Sequence, residues 1–209
     1  MLSRGTVCAR VLAVAALAIA LAAPAGTAAA GVVAACPSSN YEQPFTPWLD
    51  FASYVLAPNG GLESGADGWS LGGGAAVTAG NESFYVHDAG DTRSLSLPSG
   101  STATTSSMCV DAWSPDLRLF VRNTGSLLST LKVEVLYVDA LGESRALTVG
   151  LLAAGSRWQP TLPLLLLANL TAPPLVTDGT TSVAFRFTPL GSWSGWKVDD
   201  VYVDPFKGE

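Results

Sequence analysis

The sequence predicts an all-β domain, a two-sheet antiparallel β-sandwich, and three observations carry that prediction. Apolar and polar residues alternate at period two in several segments, the mark of half-buried strands. Turn-forming clusters separate those segments at the short spacing typical of all-β domains. No long amphipathic helical pattern interrupts them.

The elements follow in chain order. Arg4 and Arg10 precede an uncharged apolar run from Val11 to Ala23, and small residues continue to Ala30. This is the tripartite pattern of a signal peptide, with Ala28-Ala29-Ala30 as the cleavage region. The run is too short and alanine-rich for a permanent span, which needs about 20 apolar residues. The expected organisation is a signal peptide over 1–30, a flexible leader over 31–50 and the sandwich over 51–209. Short strands are expected at Ala75–Thr78, Ser83–Val86, Ser94–Leu97 and Ser107–Ala112. Leu117, Leu119 and Val121 then share one face, with Asp116, Arg118, Phe120 and Arg122 on the other. Leu131, Val133, Val135 and Tyr137 form the next stripe, opposite Lys132 and Glu134. Weaker strands are expected at Arg145–Leu151 and Ser156–Leu162. Val183, Phe185 and Phe187 alternate again, and Val198 to Asp204 is β-branched and aromatic. Asn123-Thr124-Gly125, Asp139-Ala140-Leu141-Gly142 and Thr177-Asp178-Gly179 are the turns between them.

Composition narrows the function classes. The net charge is −6, and of the eleven basic residues Arg4, Arg10, Lys197 and Lys207 lie toward the ends, so the middle has no basic cluster. Nucleic acid therefore lacks an electrostatic handle. Of three cysteines Cys8 falls in the signal peptide, which leaves Cys36 and Cys109 as a pair in an oxidising compartment. Their bridge would contribute about 4 kcal/mol by the chain-entropy model. A lipid-modified Cys36 is the rival reading, disfavoured because the apolar run ends well before it.

Catalysis finds little support. The one histidine, His87, has no Gly-x-Ser-x-Gly nucleophile to serve. Zinc would need three or four converging ligands. Two carboxylates alone could make a glycosidase, but no spacing selects a pair.

Two segments stand out: Asn59-Gly60-Gly61-Leu62-Glu63-Ser64-Gly65 with Gly68-Trp69, and Trp196-Lys197-Val198-Asp199-Asp200-Val201. They resemble the opening and closing strands of galactose-binding-like jelly rolls, the fold of many carbohydrate-binding modules; here Leu62 stands where that family usually has Phe. The mature chain also resembles a group of secreted bacterial proteins. The resemblance implies a jelly roll whose first and last strands are neighbours. It further implies a structural calcium ion held by Glu63 and Asp199, with Asp200 in reserve. Asp199 shares strand parity with Val201 and Val203, so it is expected to point into the sandwich; calcium wants six to eight oxygen ligands. Sugar binding would use exposed aromatics as stacking platforms. Trp113 and Trp193 lie in turn-like surroundings, Trp158 on a strand, and Tyr85 and His87 complete the candidate set.

The functional expectation is a secreted, non-catalytic module for extracellular polysaccharide or cell-wall glycan, retained at the wall or released. The alternative is a structural or adhesive protein that recognises a protein partner. The third reading is a hydrolase or lyase using carboxylates or His87.

Overall fold

Strand-forming segments and the turns between them build two antiparallel sheets. A computed structural model describes residues 40–111, 116–139, 141–166 and 180–204. The strands are β1 (Val55–Leu56), β2 (Ser70–Gly72), β3 (Ala76–Ala79), β4 (Arg93–Pro98), β5 (Thr102–Thr104), β6 (Met108–Asp111) and β7 (Asp116–Asn123). They continue with β8 (Thr130–Val138), β9 (Ser144–Leu152), β10 (Gln159–Pro160), β11 (Leu164–Leu165), β12 (Thr180–Leu190) and β13 (Gly195–Asp204). The first sheet runs β10-β7-β13-β4-β3, with β1 beside β13 and β11 beside β7. The second runs β2-β5-β12-β8-β9, with β6 beside β12. Among the described residues no helix is long and apolar enough to cross a membrane.

The predicted stripes meet in one core. Leu117, Leu119 and Val121 of β7, Leu95 and Leu97 of β4, and Val198, Val201 and Val203 of β13 line the first sheet's inner face. They pack with Leu131, Val133 and Val135 of β8 and Val183, Phe185 and Phe187 of β12. Burying such side chains contributes roughly 1.5–3 kcal/mol each. Trp196 is fully buried there, and Trp69 stacks on Phe187 with ring centroids 6.0 Å apart.

The opening motif is a folded turn. The Asn59 amide donates to Gly65 O and Asp67 O, both at 2.9 Å, and its Oδ1 accepts from Ser64 N. The Trp69 indole N–H donates to Asn59 O at 3.1 Å. β1 pairs antiparallel with β13, so the first and last strands are neighbours. Gly60 is glycine for a steric reason: a Cβ there would lie 2.7 Å from Val201 O.

The first sheet is buried on its outer face as well. Phe120 and Tyr202 project outward, and Phe45 and Tyr54 cover them in a second cluster. Residues 41–56 thus form an apron over β7 and β13, closed by the Glu42–Tyr54 bridge. Part of this apron, including the fully buried Phe45, comes from the stretch that the sequence places in the leader. Arg118 fastens it. Its guanidinium donates to Asp50 and twice to Thr161 O, and stands 3.9 Å over the Phe45 ring.

Two local expectations are corrected. Ser83–Val86 is a turn and not a strand, because the Glu82 carboxylate gathers the N–H groups of Phe84 and Val86 and curls the chain around itself. In β13 the pairing with β7 shifts between Asp199 and Tyr202. Asp199 opposes Phe120 and Tyr202 opposes Arg118, so one extra residue is accommodated and the inner face passes from Val198 to Val201. Asp199 therefore projects outward, not into the sandwich. Asp200 sits in the bulge with a left-handed φ of 44°.

Candidate functional site

The loop from Asn81 to Thr92 joins β3 to β4 beside the apron, and a run of carboxylate bonds holds its shape. Glu82 N donates to Asp199 Oδ2 at 2.8 Å, which hangs the start of the loop on β13. The Glu82 carboxylate, itself fully buried, accepts from Phe84 N and Val86 N. His87 Nδ1 and Asp91 Oδ2 are 2.7 Å apart across one turn, and Gly90 N donates to Asp88 Oδ1. At the far end Glu63 accepts from Thr92 N at 2.9 Å and Arg93 N at 2.7 Å. Each internal bond of this kind removes a donor that would otherwise need water, so the loop has a defined shape.

The rigid loop presents aromatics to solvent. Phe84 is 47% exposed and Tyr85 51% exposed. Tyr85 is held at a left-handed φ of 52°, which a bulky residue adopts only when its surroundings impose it. Phe84 packs edge-on against Trp48 of the apron, with centroids 5.0 Å apart. His87 follows on the same loop with its ring partly in solvent. Two adjacent open rings bordered by an imidazole and carboxylates match what a pyranose needs: an apolar face to stack on and polar groups for its hydroxyls.

The ground under the loop is acidic. Burial pushes the Asp199 carboxyl up to about 9, and the neighbouring Asp200 charge adds to it. Burial also pushes Asp200 up, to about 7, helped by Glu82. Burial raises Glu82 against the lowering effect of its backbone bonds. Burial works to lower His87, but its bond to Asp91 prevails and holds the imidazole above its ordinary value.

The other expected residues distribute as follows. Trp158 is half-buried beside β10, with the Arg122 guanidinium 5.3 Å from its ring centroid. Trp193 is 86% exposed on the β12–β13 turn and its carbonyl accepts from Ser126 N, far from being covered. It stands back to back with the turn carrying Leu127 and Leu128, which are 75% and 93% exposed. Trp113 and Cys36 lie outside the described residues, and Cys109 lies on β6. Of the expected calcium set, Glu63 spends its oxygens on Thr92 and Arg93, and Asp199 accepts from Glu82 N and Asp200 N. Among the described residues the carboxylate and imidazole atoms that converge belong to His87, Asp91 and Asp200. Phe84 and Asp91 were not singled out from sequence. The adjacent Phe84-Tyr85 pair between Gly80 and Gly90 was the available signal, since aromatics in a turn are costly to leave in water.

No known family and no curated protein matches the chain. Several solved structures resemble it at a distance. One is the N-terminal part of endo-1,4-beta-D-xylanase 10B from Clostridium thermocellum, carrying CBM22-1 and GH10 modules with xylohexaose. It is 17% identical with a TM-score of 0.46, over 69% of this chain and 27% of that one. Another is the CBM22-1–CBM22-2 tandem domain of Paenibacillus barcinonensis Xyn10C, 14% identical with a TM-score of 0.47, over 73% of this chain and 44% of that one. A third is TmCBM61 with beta-1,4-galactotriose, 14% identical with a TM-score of 0.44, over 71% of this chain and 96% of that one. The chain thus spans less than half the length of the first two. These neighbours are carbohydrate-binding modules, alone or joined to an enzyme.

Proposed function

We propose that this is an exported, non-catalytic binding module for extracellular polysaccharide or cell-wall glycan, with Tyr85 and Phe84 as the stacking platform and His87 as a polar neighbour. The observation that carries the reading is the pair of open aromatic rings on a loop whose backbone is locked by buried carboxylates. A preformed platform loses little freedom on binding, so stacking is retained as affinity. Export rests on the N-terminal pattern, and the Cys36–Cys109 bridge belongs to the same proposal. Mass difference between reduced, alkylated protein and protein alkylated without reduction tests the bridge.

A glycan array with the purified protein tests the function. Selective retention of one polysaccharide class is expected, and Tyr85→Ala and Phe84→Ala should each weaken it about tenfold, ~1.4 kcal/mol. Silence across the array, or binding indifferent to both substitutions, would remove the reading. One observation favours recognition of a protein partner instead: Trp193, Leu127 and Leu128 form an exposed apolar tip without a charged residue in either turn. Glycan binding that survives Trp193→Ser keeps the two surfaces separate.

A further inference from the structure

Among the described residues Asp200 is a fully buried carboxylate left without a closed hydrogen bond at either oxygen. The His87 backbone N–H faces it without closing one. No lysine or arginine is ion-paired with it among the described residues: Arg118 is committed to Asp50 and Thr161, and Lys197 to Thr78, Ala79 and Ser94. The acidic groups whose charge reaches Asp200 are Glu82 and Asp91, and the cation that reaches it is the His87 imidazolium, already bonded to Asp91. A buried carboxylate without a closed hydrogen bond, whose countercharge is an imidazolium shared with another carboxylate, costs several kcal/mol unless something compensates it further.

The surroundings are shaped for a compensating cation. One ligand atom each from His87, Asp91 and Asp200 lies within 4.8 Å of the others. The bulge in β13 is what turns Asp200 toward the other two. The fourth wall is Gly61, where a Cβ would come 3.2 Å from Asp200 Oδ1, 3.4 Å from His87 Nδ1 and 3.8 Å from Asp91 Oδ2. A side chain at 61 would fill the cradle. The partly solvent-facing imidazole leaves a way in.

The donor set selects the kind of ion. An imidazole nitrogen with two carboxylates suits a borderline divalent cation, whereas calcium takes six to eight oxygens and has no use for the nitrogen. We propose that His87, Asp91 and Asp200 hold one divalent transition-metal ion of the zinc class, which staples the Asn81–Thr92 loop to strand β13. Binding replaces the His87–Asp91 hydrogen bond by two metal bonds and releases the proton from Nδ1 when the imidazole is charged. The site shares His87 and its loop with the proposed Tyr85 surface, and its test reads metal binding in the absence of any glycan.

The test is thermal unfolding and calorimetric titration of the purified protein, stripped with a chelator and then given zinc, manganese or calcium chloride. Zinc should bind with one equivalent and raise the unfolding midpoint; calcium at the same concentration should leave it unmoved. His87→Ala should weaken zinc at least about tenfold. Asp200→Asn removes a ligand and the buried charge together, so the stripped variant should unfold no lower than the stripped parent while its zinc response disappears. That comparison separates loss of the site from loss of the fold. Cobalt should give visible absorption bands that His87→Ala abolishes, which reports the nitrogen ligand directly. A calcium response retained by His87→Ala, a zinc response retained by Asp200→Asn, or no response to any of the three ions would overturn the proposal.

Discussion

Replacing Arg118 by Met should loosen the apron and destabilise the whole sandwich. The guanidinium makes two bonds to Thr161 O, at 3.0 and 2.7 Å, and a charge-assisted bond to Asp50 Oδ2. Methionine keeps the apolar stem over Phe45 but supplies none of these donors. Removing one partner of a buried ion pair costs about 3–5 kcal/mol. Asp50 is one-fifth exposed and keeps bonds from Tyr54 O–H and Ala52 N–H, so the low end applies. The stranded Thr161 carbonyl adds about 1 kcal/mol, for a total near 3–4 kcal/mol. Urea unfolding measures it, and the midpoint of thermal unfolding should fall by roughly 10 °C. The double variant with Asp50→Asn should lose at least about 1.5 kcal/mol less than the sum of the singles, because both remove one interaction. A loss under about 1 kcal/mol, or strict additivity with Asp50→Asn, would mean that Arg118 is a solvated decoration and that something else holds residues 41–56 in place.

Three further outcomes are expected. Gly60→Ala should cost about 2–3 kcal/mol by urea unfolding, since its Cβ meets the backbone oxygens of Val201 at 2.7 Å and Ala57 at 3.0 Å, which cannot step aside as a side chain would. Glu63→Ala should cost about 1–2 kcal/mol and speed amide hydrogen exchange at Thr92 and Arg93, which lose their acceptor, while Glu63→Gln retains part of the protection. Acid stability should depend on Asp50. Burial works to raise its carboxyl, but the bonds from Tyr54, Ala52 and Arg118 outweigh it and hold it below the ordinary carboxylate range. A depressed folded value means stabilisation present above the unfolded value and lost as pH falls through the folded one. Thermal scans at descending pH should therefore show a shallower acid limb in Asp50→Asn than in the parent.

The sequence by itself determined the stripes that became the core: those of β7, β8 and β12 project as their period-two pattern requires, because alternation along a strand is a local covalent property. It also determined the opening turn, since Asn59 and its neighbouring glycines need only nearby backbone to bond and bend. Tertiary structure decided the rest. Parity counting sends Asp199 inward, yet pairing with β7 inserts a bulge, and one extra residue moves every later side chain to the other face. The polar face of β7 reads as solvated, yet the apron buries Arg118 and Phe120 on it, a contact between segments distant in sequence. The convergence of His87 and Asp91 from one loop with Asp200 from the last strand has no local signature at all, because only the closed sandwich brings those chain segments together.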